Sequence, residues 1–169
     1  MKRVIVSAIA LLFTLGIAYA QNDWVIHKCD NRISVKFPSE PKEIQPGSFT
    51  ANLKDSTVAC IFTCVDFSKV ANIDSTTLAP LENTADFAAE LKTGLESHLS
   101  DVKMNDLTIG KWNGFNSYST WGIDSKKKRY DFFMVIIGNN LYSLTTITGF
   151  GALFETRDTF FSSIVLTNN

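Results

Sequence analysis

The strongest hairpin pattern of apolar positions runs from Tyr130 to Thr148, in two apolar stretches joined by Gly138-Asn139-Asn140. Before the turn, Phe132, Met134 and Ile136 alternate with Phe133, Val135 and Ile137. After it, Leu141, Ser143, Thr145 and Ile147 alternate with Tyr142, Leu144, Thr146 and Thr148. The first stretch is apolar on both faces, which predicts a strand covered on both sides. Gly and Asn tolerate the positive φ of a tight turn. The pair therefore reads as a hairpin at the centre of an antiparallel sheet.

The same pattern places the other elements. Asp23 to Lys28 is a short apolar run, and Ile33-Ser34-Val35-Lys36-Phe37 alternates with Ile33, Val35 and Phe37 facing in. Pro38 and Pro41 end that strand and force an extended exit. Phe49–Leu53 and Thr57–Phe67 read as strands, the second apolar on both faces. Ser68–Leu81 has little periodicity and reads as a loop. Phe87, Leu91, Leu95 and Leu99 recur at i+4 and predict a helix over Thr84–Leu99. Asn83 is its expected N-cap, Asp86 suits its first turn and His98 its last. Gly94 interrupts this helix and suggests a close approach to the sheet. Met104–Ile109 and Phe115–Ile123 complete the sheet, with a tight turn at Trp112-Asn113-Gly114 and a hairpin tip at Asp124–Arg129. Leu153, Phe154, Phe160, Phe161 and Ile164 recur at helical spacings, so a helix over Ala152–Ser163 is expected, followed by a short strand at Val165-Leu166. The sum is an α+β fold, a central and largely antiparallel β-sheet flanked by helices.

The N-terminus changes the picture of where the chain works. Lys2 and Arg3 precede an uncharged, mostly apolar run from Val4 to Ala18, and Ala18-Tyr19-Ala20 fits a small-x-small cleavage site. Its roughly 15 residues fall short of the 20 or so that span a bilayer. Residues 1–20 are expected to be a cleaved signal peptide and 21–169 a single domain, exported to the periplasm or the exterior as a soluble protein. Position 21 is Gln, so the lipid-modified cysteine of a bacterial lipoprotein is missing. Cleavage removes two of the 16 basic residues and leaves 14 against 17 acidic, a net charge of −3. Nothing in that balance suggests a nucleic-acid surface, and no transmembrane segment is expected after cleavage.

Three cysteines remain, an odd number for an oxidising compartment. Cys60 and Cys64 lie on one strand about 13 Å apart, whereas a disulfide needs Cα atoms within about 7 Å. A disulfide of Cys29 with Cys60 or Cys64 is one reading. Burial of the two strand cysteines as small apolar side chains is the other.

Several short signposts together carry a resemblance. An early strand ends in Phe37-Pro38-Ser39-Glu40-Pro41, a helix lies mid-chain, Leu141-Tyr142-Ser143-Leu144 follows the central turn, and Phe160-Phe161-Ser162-Ser163-Ile164 closes the chain. In this order they resemble PsbP-like domains, a superfamily that includes the extrinsic P subunit of photosystem II, a Ran-binding nuclear transport factor and small exported bacterial proteins. The resemblance implies an α/β/α sandwich and a non-catalytic protein that docks on, or assists, a larger assembly. It carries over no catalytic residue and no metal ligand.

Catalytic chemistry has little to rest on. There is no P-loop, no G-x-S-x-G, no His-Glu-x-x-His and no Cys-x-x-Cys. His27-Lys28-Cys29-Asp30 gathers potential metal ligands but lacks a third and fourth. No catalytic residue, metal or cofactor is expected. The candidate contact residues are Trp112 and Asn113 at one turn and Trp121, because aromatics dominate interface hot spots, and the basic run Lys126-Lys127-Lys128-Arg129, which would meet an acidic partner or anionic lipid headgroups. A solvated hairpin tip and core tryptophans explain the same residues without a partner. The expected function is an exported accessory protein that docks on another envelope or secreted protein. The alternative is a carrier whose sheet and helices enclose a small apolar ligand. The partner and the oligomeric state are not legible.

Overall fold

The computed structural model describes residues 24–55, 57–149 and 154–167; the expected leader at 1–20 lies outside the described residues. In chain order the first strands are β1 (Val25–Lys28), β2 (Ile33–Phe37), β3 (Lys42–Gln45), β4 (Ser48–Asn52) and β5 (Val58–Asp66). Helices α1 (Phe67–Val70), α2 (Ser75–Leu78) and α3 (Ala85–His98) follow. The chain continues through β6 (Val102–Met104), β7 (Thr108–Trp112), β8 (Phe115–Asp124), β9 (Arg129–Ile137) and β10 (Asn140–Thr148), and closes with α4 (Glu155–Ser162) and β11 (Val165–Leu166).

The hairpin expected at the centre is there. β10 pairs antiparallel with β9 on one side and with β5 on the other, from Asn140 to Thr148 in both ladders. The large sheet has the order β3-β4-β5-β10-β9-β8-β6, with β7 pairing to β8 beside β6. At the β9–β10 turn Gly138 takes φ 67° while Asn139 stays out of the positive-φ region, the pattern of a type II′ turn with glycine at its first corner. At the β7–β8 turn Asn113 (φ 49°) and Gly114 (φ 86°) are both positive, as a type I′ turn requires.

Both faces of the large sheet are covered. On one side Phe132, Met134, Ile136, Leu141 and Tyr118 pack against Phe87, Leu91, Leu95 and Leu99 of the α3 stripe. On the other, Cys60, Phe62, Val135, Ile137, Tyr142 and Leu144 meet Ile33, Val35 and Phe37 of β2 and Phe160 of α4. Those three β2 side chains are fully buried, each worth roughly 1.5–3 kcal/mol. The layers are α3, the large sheet, and a mixed layer in which α4 lies with the small sheet β1-β2-β11.

Several expectations change in detail. One sheet was expected, and there are two: β11 pairs with β2, which draws the N-terminal strands away from the large sheet. The exit after Phe37 holds β3, a fully exposed edge strand. The Ser68–Leu81 loop holds α1 and α2, capped by Asp66 and Asp74. The N-cap of α3 is Thr84 rather than Asn83: its hydroxyl accepts from the Phe87 N–H at 3.2 Å. The Met104–Ile109 strand is divided into β6 and β7, because the Asn105 backbone and side-chain N–H groups both donate to the Trp121 carbonyl, at 2.9 and 3.0 Å. The first residues of the helix expected over Ala152–Ser163 lie outside the described residues.

Candidate functional site

The expected contact residues fall into two groups. Trp112 and Asn113 sit at the start of β8, and Lys126, Lys127 and Lys128 sit beyond its end. Ten strand residues at about 3.3 Å each keep the two tips roughly 30 Å apart. Trp112 is half-buried against the core between the sheets, so its ring is largely packing. Trp121 and Arg129, by contrast, come together with residues the sequence had not marked.

Trp121 on β8 stands opposite Asp131 on β9. Asp131 shares a strand face with Arg129, two residues away. The Arg129 guanidinium donates to both carboxylate oxygens, Nε to Oδ1 and Oδ2 at 3.0 and 2.9 Å and Nη2 to Oδ1 at 2.9 Å. Arg157 of α4 adds a longer contact from Nη1 to Oδ1, 3.4 Å, and donates from Nε and Nη2 to Asp158 Oδ1 at 2.8 and 2.6 Å. Asp131 is only 4% exposed, and burying a carboxylate without such partners is costly. The guanidinium of Arg129 also lies 4.2 Å from the centre of the Trp121 ring and 5.0 Å from that of Phe154, and Arg157 lies 4.6 Å from Phe154. Two arginines are thus held between aromatic rings and one buried acid.

The surface of this cluster is open. Trp121, Ile123 and Phe154 are 38%, 42% and 45% exposed. A cavity of about 320 Å³ lies beside Trp121, Arg129 and Arg157, with Asn105, Thr108, Ser119 and Phe161 among its walls. Nearby acids are engaged in hydrogen bonds, and one of them in an ion pair. Asp124 accepts from the Lys128 N–H (2.7 Å), Asp101 from the Ser125 hydroxyl (2.7 Å), and Asp106 pairs with Lys92 (2.7 Å). The side chains of Lys103, Lys126 and Lys128 form no salt bridge among the described residues. Rigid cation–aromatic groups with spare positive charge can recognise an acidic segment that also offers an apolar side chain.

A second cleft, about 510 Å³, runs between α3 and β7. Its floor is Ala88, Leu107 and Ile109, and Lys92, Glu96 and Asp106 stand at its rim.

The nucleophile candidates are poorly placed for chemistry. No disulfide joins the three cysteines in this structure. Burial pushes Cys29 and Cys60 up to about 12 and Cys64 to about 11, so little thiolate exists near neutral pH. His27 packs its ring on Phe49, 4.5 Å between centres, and His98 is exposed in the last turn of α3. Among the described residues no group of three His, Cys, Asp or Glu could hold a metal ion. No helix among them is long and apolar enough to cross a membrane.

Sequence reasoning reached Trp121 and Arg129 but missed Asp131, Phe154 and Arg157. A lone acid inside the apolar run Tyr130–Ile137 was the available signal, since a buried carboxylate demands a cation. Nothing in the local pattern named Arg157 as that cation.

No protein-family model and no curated protein matches the chain. Solved structures do. One is the solution structure of cyanobacterial PsbP from Synechocystis sp. PCC 6803, with a TM-score of 0.58 and 13% identity, covering 89% of this chain and 96% of that one. Another is a crystal structure from Bacteroides thetaiotaomicron VPI-5482, with a TM-score of 0.43 and 12% identity. That match covers 81% of this chain and 46% of the other, so this chain spans less than half of that protein. The likeness to cyanobacterial PsbP establishes a PsbP-like α+β fold, as the sequence resemblance implied. At this identity it speaks for the fold alone.

Proposed function

We propose that this chain is an exported, non-enzymatic accessory protein that docks on an acidic segment of another envelope or secreted protein. The observation that carries the reading is the exposed Trp121 ring stacked on an arginine that buried Asp131 holds in place. Such a group is already ordered before a partner arrives, which lowers the entropic cost of binding. The PsbP-like fold supports it, because the superfamily resemblance implies docking rather than catalysis. The leader-like residues 1–20 support export.

Photo-crosslinking tests the surface. A probe at Ile123 or Lys126 should capture the same protein, and a probe at Asn113, at the far end of β8, should not. Trp121→Ala, or Lys126→Glu with Lys128→Glu, should reduce capture at least tenfold with the melting temperature unchanged. Capture that survives both changes removes this surface from the proposal. Intact mass of the exported protein tests the leader, with a chain beginning at Gln21 expected.

The cleft beneath α3 supports a second reading, a carrier of a small apolar ligand. Native mass spectrometry separates the two. A retained ligand mass that disappears on Ala88→Trp would put the carrier ahead.

A further inference from the structure

Cys29, Cys60 and Cys64 all pack against the core between the two sheets. Cys60 is fully enclosed on β5, with Ala51 and Thr146 beside it on the neighbouring strands. Cys64 lies four residues along the same strand, about 13 Å away, so those two cannot bridge. Of the two, Cys64 is the one whose charge acts on the Cys29 thiol.

The turn between β1 and β2 is rigid. The Cys29 N–H donates to the Ile33 carbonyl at 2.9 Å, and Asp30 Oδ1 accepts from the Arg32 and Ile33 N–H groups, both at 2.7 Å. This turn is docked on the large sheet at two points. Tyr142, the cross-strand partner of Cys64, donates its hydroxyl to Asp30 Oδ2 at 2.7 Å. Arg32 Nη1 donates to the Ile137 carbonyl at 3.1 Å. Asp30, next to Cys29 in the chain, is thus held on Tyr142, the cross-strand partner of Cys64, and both cysteines are half-buried. The charge of Cys64 adds to the rise of the Cys29 thiol, after burial and the Asp30 carboxylate.

We propose that Cys29 and Cys64 form a disulfide in the exported protein, with Cys60 left as a buried thiol. The two thiols lose two protons and two electrons, and the Sγ–Sγ bond forms. A disulfide-bearing exchange partner takes the electrons and leaves as a dithiol. The bond fastens the edge of the small sheet to β5. The elevated thiol pKa values place its formation during folding, since little thiolate is available once the core has closed.

The test needs no docking partner, so it stands apart from the docking reading. Mature protein is refolded from denaturant in an oxidised–reduced glutathione buffer, and a second sample is taken from the export compartment. Both are alkylated and mapped without reduction, using chymotrypsin, because cleavage after Phe62 separates Cys60 from Cys64. A linked Cys29–Cys64 pair in both samples, with Cys60 alkylated only after denaturation, is expected. Cys29→Ser and Cys64→Ser should lower the oxidised melting temperature alike, with the double substitution no worse than either. Three alkylatable thiols in either sample, or a linkage that includes Cys60, overturns the proposal.

Discussion

A methyl group added at Gly94 would meet nothing within 4 Å, whereas one added at Gly122 would lie 2.6 Å from both Met104 and Val102 and 2.7 Å from the Lys103 carbonyl. The glycine of close approach is therefore the one in β8, and the expectation that Gly94 lets α3 near the sheet is replaced. Gly94→Ala should raise the unfolding free energy by up to about 1 kcal/mol, since it removes helix-interior glycine at no steric cost. Gly122→Ala should lower it by about 2 kcal/mol or more, because backbone on the neighbouring strand cannot yield as a side chain can. Urea denaturation of both variants checks the pair of signs. Asp131 answers to the same measurement. Asp131→Asn leaves two guanidinium groups facing each other without their shared acid, and breaking a buried pair in this way costs about 3 kcal/mol. Asp158→Ala, at an exposed pair with Arg157, should cost less than about 1 kcal/mol.

The elements owe their ends to single oxygen atoms. Thr84 both caps α3 and donates to the Leu81 carbonyl at 2.7 Å. Thr84→Ala should cost about 1 kcal/mol in thermal or chemical unfolding, and Asn83→Ala should fall within about 0.5 kcal/mol of the parent. By residue type Asn83 is the better cap of the two, so that Thr84 begins the helix instead depends on where the preceding turn delivers the chain. The caps of α1 and α2 were legible in principle as Asp66-x-Ser68 and Asp74-x-x-Thr77, but four-residue helices are too short for the apolar periodicity that marks α3. Asp74 also predicts a pH response. Hydrogen bonds from the Thr77 N–H first, then from the Thr76 hydroxyl, hold its carboxyl down at about 2, against an ordinary 3.8. The folded value lies below the unfolded one, so the charged form stabilises α2. That contribution is complete above about pH 4 and is lost as the pH falls through about 2. Asp74→Asn keeps an accepting oxygen without the charge. Its stability should therefore fall less steeply than the parent's between about pH 4 and 2, in denaturant titrations at each pH.

Over the whole molecule, the small sheet and α4 cover the middle of one face of the large sheet and leave the outward residues of β8 in contact with solvent. That uncovered margin is where Trp121 and Ile123 stand, and α4 delivers Arg157 to its border. The contact surface proposed for this chain thus follows from the width of one sheet exceeding that of the layer above it. Joint substitution of Trp121 and Arg157 to alanine should abolish partner capture while Asn113→Ala leaves it intact, because the β7–β8 turn lies at the opposite end of β8. Much of the fold was readable along the chain. Two apolar runs around Gly138-Asn139-Asn140 marked the β9–β10 hairpin, alternation marked the inward face of β2, the i+4 stripe marked α3, and Asn113-Gly114 marked its turn, since each of these signals depends on neighbours a few residues apart. The tertiary structure alone decided that β5 pairs with β10 across some 80 residues, that the N-terminal strands form a sheet of their own, and that Arg129, Asp131, Phe154 and Arg157 converge. Those outcomes depend on pairings between distant segments, which are set by how whole faces bury against one another and leave no local mark in the sequence.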